Sequence, residues 1–274
     1  MIQDISPHIF DNKFDCPSPK PSDTAVLFFE NSVLLKKDGN GFPAISDLGF
    51  LSGYESVYLF SMDAVPVFLI DAAVDEDSLP NGLYLSSTVI FRSALPEDVA
   101  FLGASALHLS SWMNKNRICS CCGAKTELSK KERALECPNC KNTVYPYISP
   151  AIIVAVLNGD KILMGRKSEN NPYYSLIAGY CEVGESLEVT VAREVYEEAG
   201  LKVKDIKYYS SQPWAFSSSL MIGFTAVLDG DDTVNLNDHE LFEAVWFSRE
   251  DVLKPTSLFS VGSTMIQDFI DGKI

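Results

Sequence analysis

The chain contains 274 residues, and 46% of them are hydrophobic, which is enough to build a core in two or more domains and excludes general disorder. Lys and Arg together number 22 and Asp and Glu 37, so the formal net charge is −15. A surface this acidic repels nucleic-acid phosphates and argues against a dedicated DNA- or RNA-binding protein.

The start of the chain and its hydropathy predict a cytoplasmic protein. The N-terminal sequence MIQDISPHIF is polar and lacks the basic start and apolar centre of a secretory signal. No apolar run approaches the roughly 20 residues that a membrane-spanning helix needs, so we expect no membrane association.

Residues 1–112 predict a small α/β domain. Four strand-like runs, AVLFFE, SVLLKK, SVYLFSM and VPVFLID, follow a proline-rich start, and DGNG predicts a hairpin turn between two of them. Gly82–Phe91 predicts a further strand, and Leu95–Asn114 predicts a helix with Pro96 near its first turn. Arg92 stands alone in an apolar stretch, and the sequence leaves open whether it is a surface arginine or a substrate contact.

Residues 113–148 predict a zinc ribbon. The pairs CSCC and CPNC are separated by 14 residues, and thiolates two residues apart can turn onto one tetrahedral ion. Cys121 lies inside the first pair and makes the choice of thiol ambiguous, but one assignment keeps two residues between the thiols of each pair. The zinc ligands of that assignment are Cys119, Cys122, Cys137 and Cys140.

Four thiolates leave no open coordination position, so we expect one structural zinc ion per chain. A disulfide framework is the alternative, and it is disfavoured because cytosolic thiols stay reduced. Zinc ribbons can also bind nucleic acid, yet the segment between the two cysteine pairs is at most mildly basic. We expect the ribbon to join the two flanking domains or to support a dimer.

Residues 149–274 predict a second α/β domain. AIIVAVL is typical of a buried central strand, and KILMGRK predicts its hairpin partner across Asn158-Gly159-Asp160. SLIAGY, KYYSSQPWAF, SLMIGFTAVL and EAVWFS predict further strands, and Ser263–Asp271 predicts a short helix.

The stretch Gly179–Leu201, GYCEVGESLEVTVAREVYEEAGL, predicts a loop and then a helix from Ser186 to Ala199. Ser186 is a suitable N-cap, and Gly200 is a suitable residue to end the helix. The stripe of this helix that is predicted to pack inward consists of Leu187, Val191, Ala192, Val195 and Ala199.

Three glutamates of this helix, Glu194, Glu197 and Glu198, are spaced i, i+3 and i+4 and therefore share another face. Carboxylates held together repel one another, and a cation among them relieves that repulsion. Oxygen ligands at this density suit Mg²⁺ or Mn²⁺. A solvated acidic face is the alternative, and the complete pattern of the stretch decides against it.

That pattern resembles the Nudix box. Gly179, five residues, Glu185, seven residues and then REVYEEAGL match every fixed position of the signature. The resemblance implies a Nudix hydrolase, an enzyme that cleaves nucleoside diphosphates linked to another moiety. It also implies an αβα sandwich in which the box supplies a loop–helix–loop platform for metal ions.

A second sequence motif resembles that of one family within the Nudix hydrolases. SQPWAFSSSL at 211–220 resembles the SQPWPFPxS array of the NADH pyrophosphatase family of Nudix hydrolases, and the upstream zinc ribbon and Tyr145-Pro146 agree with it. Ala215 and Ser217 replace two prolines of the family array. The resemblance covers about 95–271 well and the N-terminal domain only in outline.

The resemblance implies a role for each residue that matches. The implied ligands of two or three Mg²⁺ or Mn²⁺ ions are the carboxylates of Glu194, Glu197, Glu198 and Glu240 and the backbone carbonyl of Ala178, with Glu243 as a less secure neighbour. Glu198 is our candidate to orient or deprotonate the attacking water. Arg193 is expected to orient the glutamates by ion pairing.

Substrate contacts are implied at a second set of positions. Trp214 and Phe216 are candidates to stack on a purine or nicotinamide ring, and Gln212 and the serines are candidates to reach its polar edges. The full set is Arg92, Glu132, Tyr145, Gln212, Pro213, Trp214, Ala215, Phe216, Ser217, Ser218, Ser219 and Gly262.

The implied reaction is hydrolysis of the pyrophosphate bond of NADH or NAD to AMP and the mononucleotide of nicotinamide. In this family the same cleavage can remove an NAD cap from RNA, and a homodimer is expected. One alternative is a Nudix hydrolase that prefers ADP-ribose, a dinucleoside polyphosphate or a nucleotide sugar. The other is a non-catalytic, zinc-ribbon regulator that binds nucleic acid, which the complete glutamate set and the charge of −15 disfavour.

Overall fold

The computed structural model describes residues 1–39, 41–74, 76–92, 95–236 and 240–274. Contacts divide the chain into two compact units, Ile2–Tyr147 and Ile148–Ile274, with Met1 belonging to the second unit. Within the described residues, no helix is both long enough and apolar enough to cross a membrane.

The first unit contains a six-stranded sheet and one long helix. Its strands are β1 (Phe10–Asp11), β2 (Thr24–Phe29), β3 (Ser32–Lys36), β4 (Glu55–Met62), β5 (Val65–Asp71) and β6 (Leu83–Ser87), in the spatial order β1-β4-β5-β2-β3-β6. Helix α1 (Glu97–Lys115) packs against β2 and β4. The predicted helix and the four predicted strands before Gly82 are confirmed.

Two local predictions in this unit are wrong. The DGNG segment, whose Asn40 lies outside the described residues, does not close a hairpin, because β3 pairs with β2 and β6 instead of with β4. The predicted strand Gly82–Phe91 ends at Ser87, and Thr88–Arg92 forms a 3₁₀ turn. This turn places the fully buried ring of Phe91 against α1 at Gly103, where a side chain would overlap it.

The ribbon belongs to the first unit and contains a three-stranded antiparallel sheet. Its strands are β7 (Glu127–Leu128), β8 (Leu135–Glu136) and β9 (Thr143–Val144). Strands of two residues bury little apolar surface, so a structure this small needs a further constraint such as a metal ion.

The second unit contains a mixed six-stranded sheet. Its strands are β10 (Ser149–Asn158), β11 (Lys161–Arg166), β12 (Ile177–Tyr180), β13 (Val203–Trp214), β14 (Ser219–Leu228) and β15 (Glu243–Ser248). The spatial order is β13-β14-β10-β11-β15, with β12 also paired to β10. Strand β10 is parallel to β14 and antiparallel to β11 and β12, so the prediction of a buried central strand is confirmed.

One helix covers each face of this sheet. On one face, Val191 and Val195 of α2 (Leu187–Ala199) pack on Ile152 and Val154 of β10. On the other face, α3 (Val261–Ile270) contributes Met265 to a separate core. The predicted αβα sandwich is therefore confirmed.

Candidate active site

Helix α2 begins and ends where the sequence predicts. The backbone N–H of Val189 donates to the Ser186 hydroxyl at 3.4 Å, and Gly200 adopts a left-handed φ of 69° that ends the helix. The inward stripe is confirmed except at Ala192, which is exposed. Thr190 is fully buried instead, because its hydroxyl is satisfied locally by the Ser186 carbonyl at 3.1 Å and the Glu185 carboxylate at 2.9 Å.

Arg193 lies at the centre of the acidic side chains. Its Nη1 donates to Glu194 Oε1 and to Glu197 Oε2, both at 2.8 Å, and its Nη2 donates to the Tyr180 carbonyl at 2.9 Å. Its Nε and Nη2 bind the two oxygens of Glu185 at 2.7 and 3.0 Å. One guanidinium thus binds three carboxylates and the end of β12.

The carboxylate of Glu185 is held in its charged form. Arg193, the backbone N–H of Glu182 and the hydroxyl of Thr190 all donate to it, and together they lower its pKa from the ordinary 4.5 to about 2. The same pairing raises the pKa of Arg193. The carboxylate of Glu185 is therefore ionised at neutral pH.

Gly179 makes room for one of these glutamates. A Cβ built at Gly179, in β12, would overlap the carboxyl of Glu194. Any larger residue would therefore displace Glu194 from its place between β12 and Arg193. This close approach gives a physical reason for glycine at the first position of the stretch.

The electrostatics of Glu194 place further carboxylates near it. Burial raises the pKa of its carboxyl, Arg193 opposes the rise, and the charges of Glu197 and Glu240 add to it. Glu198 is a buried charged residue, only 2% exposed. The site therefore holds several oxygen donors whose mutual repulsion a divalent cation would relieve, and this donor set fits Mg²⁺ or Mn²⁺.

The carboxylate oxygens of the four predicted glutamate ligands do not converge in this structure. Among the described residues, no set of three carboxylates converges within 4.8 Å, whereas the ribbon cysteines do. Two of the four, Glu194 and Glu197, are bound instead to the guanidinium of Arg193.

Glu243 forms an ion pair between two neighbouring strands. Its Oε2 accepts from Arg166 Nε at 2.7 Å and from the Tyr174 hydroxyl at 2.6 Å, and both contacts lower its pKa. The Arg166 guanidinium also lies 5.1 Å from the ring centroid of Phe242. Glu243 therefore joins β15 to β11.

Tyr180 is a site residue that the sequence reasoning missed. The hydroxyl of Ser219 donates to the Tyr180 hydroxyl at 3.2 Å, and Ser219 also lies 2.9 Å from the Ser217 hydroxyl. These hydrogen bonds lower the pKa of Tyr180. Because the Tyr180 carbonyl also binds Arg193, this residue joins the two motifs. The feature of the sequence that could have identified Tyr180 is its position directly after Gly179.

Gln212 has a structural role. It is fully buried, its Nε2 donates to the Phe259 carbonyl at 2.8 Å, and its Oε1 accepts from the Val261 N–H at 2.7 Å. Both ends of its amide are used by backbone at the start of α3. The expectation that Gln212 reaches the polar edges of a substrate is therefore corrected.

The aromatic residues of the array form a cluster. The ring centroids of Trp214 and Phe216 are 5.0 Å apart, those of Trp214 and Phe259 are 6.0 Å apart, and both pairs meet edge to face. Ala215–Ser217 is a 3₁₀ turn that ends at Ser218 with a left-handed φ of 53°. Both Trp214 and Phe216 remain partly exposed.

The other predicted contact positions are spread over both units. Arg92 is exposed at the end of the 3₁₀ turn in the first unit, where the Tyr145 hydroxyl also donates to Glu132 at 2.9 Å. In the second unit, Ala178 pairs with Ile153, and Gly262 lies so close to Ile153 that a Cβ would come within 2.8 Å of its Cδ1. The remaining positions are Pro213, which is exposed, and Glu240, also exposed.

The ribbon brings four thiols together. Cys119, Cys122, Cys137 and Cys140 place their sulfurs within 4.8 Å of one another, with 3.6 Å between 119 and 140 and 3.4 Å between 122 and 137. Tetrahedral zinc with Zn–S bonds of about 2.3 Å needs sulfurs ~3.8 Å apart, so the cluster fits the ion. Cys121 is not part of it.

Backbone N–H groups favour the thiolate form of Cys119. N–H groups of Cys121 and Cys122 lower the pKa of the Cys119 thiol to about 6, which prepares it to bind a cation. Gly123 turns with a φ of 75°, and its N–H donates to the Cys119 carbonyl at 2.9 Å.

Comparisons with known proteins agree with this geometry. Residues 148–269 match the model of the NUDIX domain, and residues 114–145 match that of the NADH pyrophosphatase zinc ribbon domain. The crystal structure of a NUDIX hydrolase from Nitrosomonas europaea superposes with a TM-score of 0.50 and 21% identity over 57% of this chain and 92% of that one, which shows a shared fold.

Two sequence relatives that carry protein names also match this chain. The NAD-capped RNA hydrolase NudC of Actinobacillus succinogenes is 43% identical over 161 residues, 56% of this chain and 61% of that protein. An NAD-capped RNA hydrolase NudC of Haemophilus influenzae is 34% identical over 207 residues, 74% of this chain and 76% of that protein. The match thus spans less than two thirds of the first relative's length. This chain belongs to the Nudix hydrolase family, in the group whose NUDIX domain follows an NADH pyrophosphatase zinc ribbon.

Proposed function

We propose that this chain hydrolyses the pyrophosphate bond of NADH or NAD, releasing AMP and nicotinamide mononucleotide, and that NAD-capped RNA is a further substrate. The observation that carries the proposal is the arrangement of Glu185, Glu194 and Glu197 around Arg193 on α2. The relatives named NAD-capped RNA hydrolase support the choice of substrate.

Glu194, Glu197, Glu198, Glu240 and the Ala178 carbonyl would hold two or three Mg²⁺ or Mn²⁺ ions. When bound, such ions neutralise the charge of the pyrophosphate and lower the pKa of a water molecule. The side chain of Glu194 is 12% exposed, and Glu198 is 2% exposed. Burial strengthens the attraction of these carboxylates for a cation, because water competes less with it.

Residues of the chain itself would orient the metal ligands and accept a proton. Arg193 keeps Glu194 and Glu197 in fixed orientations, which saves the entropy of ordering them when substrate arrives. Glu198 accepts the proton of the attacking water. A carboxylate that is only 2% exposed has few competing water contacts, which suits it to that task.

Trp214 and Phe216 would stack on a purine or nicotinamide ring, and Tyr180 would extend the polar edge formed by the serines. The remaining proposed substrate contacts are Arg92, Glu132, Tyr145, Pro213, Ala215, Ser217, Ser218, Ser219 and Gly262.

The test is a comparison of substrates with the zinc-loaded full chain in the presence of Mg²⁺ or Mn²⁺. NADH, ADP-ribose and a diadenosine polyphosphate are supplied separately, and the products are separated by chromatography. We expect kcat/KM to be highest for NADH, with AMP and reduced nicotinamide mononucleotide as products. A higher kcat/KM for ADP-ribose or the diadenosine substrate would contradict the proposed specificity.

A homodimer in the cytoplasm is part of the same proposal and is tested independently of activity. Light scattering coupled to size exclusion should give about twice the chain mass of 30.2 kDa, whereas a monomer mass would refute the dimer.

A further inference from the structure

The side chain of Tyr180 reaches across a strand of the sheet in the second unit. Tyr180 is the last residue of β12 and Ser219 is the first residue of β14, and both strands pair with β10. On β10, Ala151 pairs with Tyr180 and Ser149 pairs with Ser219. The Ser219 hydroxyl donates to the Tyr180 hydroxyl at 3.2 Å, so this contact joins β12 to β14 over the intervening strand.

Ser219 connects Tyr180 to the 3₁₀ turn Ala215–Ser217. It is 1% exposed, and its Oγ lies within hydrogen-bond distance of the Ser217 hydroxyl, at 2.9 Å, and of the Ser217 carbonyl, at 3.2 Å. Hydrogen bonds from Ser219 and from Ser217 both lower the pKa of Tyr180. The three hydroxyls therefore form one group, and we call Tyr180, Ser217 and Ser219 the hydroxyl network.

The turn that the hydroxyl network contacts has a backbone conformation that needs support. Ser218 ends the turn with a left-handed φ of 53°, which residues other than glycine adopt at a cost in free energy. Its N–H donates to the Ala215 carbonyl at 3.2 Å, which is long for such a bond. A conformation of this kind persists where its surroundings fix it, and Ser217 and Ser219 flank Ser218 on either side.

The same turn lacks a constraint that the similar family array contains. Ala215 and Ser217 stand where that array has prolines, and a proline ring fixes the backbone φ of its residue. Without the two rings, the turn has more conformational freedom to lose when it is ordered. Hydrogen bonds of the hydroxyl network restrict that freedom at Ser217.

The position of an aromatic ring depends on this turn. Phe216 is its middle residue, and Trp214 directly precedes it. The ring centroids of the two residues are 5.0 Å apart, so a shift of the turn would separate them. Both rings are proposed to stack on a ring of the substrate, and the turn therefore sets the surface that the substrate meets.

We propose that Tyr180 is a positioning residue whose hydroxyl, through Ser219 and Ser217, fixes the turn that carries Phe216. The kinetic part of this proposal rests on the proposed hydrolysis of NADH. The backbone carbonyl of Tyr180 accepts separately from Arg193 at 2.9 Å, and that contact does not use the hydroxyl. Loss of the hydroxyl should therefore weaken substrate binding and leave the chemical step unchanged.

Tyr180→Phe removes the hydroxyl and keeps the ring and the carbonyl, and the variant should fold because Tyr180 is 50% exposed. For the zinc-loaded full chain in Mg²⁺, we expect KM for NADH to rise roughly three- to tenfold, as loss of a hydrogen bond allows, with kcat within about twofold of wild type. Tyr208→Phe is the matched control, since the Tyr208 hydroxyl also donates to a serine, Ser211, at 3.3 Å within β13. It should match wild type in both constants.

Hydrogen exchange separates positioning from direct contact with the substrate. Exchange of the Ser218 amide is followed by NMR without substrate, and Tyr180→Phe should accelerate it roughly fivefold, because the turn opens more often. Tyr208→Phe should leave the rate unchanged. Ser219→Ala should accelerate exchange as well, and adding Tyr180→Phe to it should have little further effect, because both changes break the same contact.

Three results would overturn the proposal. A higher KM with unchanged exchange at Ser218 would make the Tyr180 hydroxyl a direct substrate contact. A lower kcat with unchanged KM would place its effect at Arg193 and the chemical step. Wild-type values of KM and of exchange in Tyr180→Phe would leave the hydroxyl without a role. If the wild-type chain did not hydrolyse NADH, the proposed function would fail, whereas exchange at Ser218 would still decide whether Tyr180 fixes the turn.

Discussion

Arg193 and Glu185 form a two-point ion pair, with Nε at 2.7 Å from Oε1 and Nη2 at 3.0 Å from Oε2. The pair fixes the plane of the guanidinium, whose remaining donors hold Glu194 and Glu197. Glu185 therefore acts on the candidate metal ligands through Arg193, without being a ligand itself. A change at Glu185 should alter both the stability of the second unit and its turnover.

Replacing Glu185 with Gln should lower the thermal unfolding midpoint near neutral pH and reduce turnover. The folded-state pKa of Glu185 is about 2 and its ordinary value 4.5, so the stabilisation is complete above pH 4.5 and is lost as the pH falls toward 2. The difference in midpoint between wild type and Glu185→Gln should therefore shrink over that range, as measured by calorimetry.

Glu188→Gln is the control for this comparison, because Glu188 is an exposed carboxylate in the first turn of the same helix. It should behave like wild type at each pH. A midpoint difference for Glu185→Gln that stays constant down to pH 2 would show that the ion pair is not its source.

Gly179→Ala should lower kcat/KM for NADH by roughly a hundredfold while the fold is retained. The added Cβ overlaps the carboxyl of Glu194, and a displacement of about 1 Å at a catalytic site can cost that much. Gly53→Ala is the control, since a Cβ there meets nothing within 4 Å. Equal activity of the two variants would contradict the placement of Glu194.

Gln212→Leu should destabilise the second unit by about 1–3 kcal/mol, because it leaves the Phe259 carbonyl and the Val261 N–H without their partner. Gln267→Leu, at a partly buried position of α3, removes only an exposed hydrogen bond to Asp271 and should cost less stability than Gln212→Leu. Chemical denaturation followed by tryptophan fluorescence measures both. If Gln212→Leu were as stable as wild type but raised KM for NADH, Gln212 would be a substrate contact after all.

Cys121→Ser should retain one zinc ion per chain, whereas Cys122→Ser should lose most of it. Cys122 belongs to the group of four sulfurs, and Cys121 lies outside it and is exposed. Elemental analysis after dialysis against a weak chelator measures the difference. Full zinc retention by Cys122→Ser together with loss in Cys121→Ser would reverse the assignment.

The parts of the fold that were predictable are those with a local cause. Helix α2 has its own N-cap at Ser186, its own C-terminal glycine at Gly200 and a regular apolar stripe, so its bounds follow from short-range rules. The hairpin of β10 and β11 likewise follows from Gly159, which turns with a φ of 62°. The four thiols could be predicted because two residues between the ligands in each pair suit a tetrahedral ion.

The features that were missed depend on long-range partners. The pairing of β3 with β6 cannot be deduced from DGNG, because β5 pairs in parallel with β2 and leaves β3 away from β4. The side chain of Gln212 is hydrogen-bonded to the start of α3, 49 residues further along the chain. Glu243 forms an ion pair with Arg166 on the neighbouring strand, and sequence spacing alone does not reveal this contact.

The central claim is that carboxylates of one helix, with metal ions between them, expose a pyrophosphate bond to water. Turnover of NADH by Glu198→Gln in saturating Mg²⁺, compared with Glu188→Gln, tests it most directly. We expect Glu198→Gln to lose at least about a hundredfold in kcat, as loss of a general base does, and Glu188→Gln to match wild type. Wild-type kcat in Glu198→Gln would contradict the account.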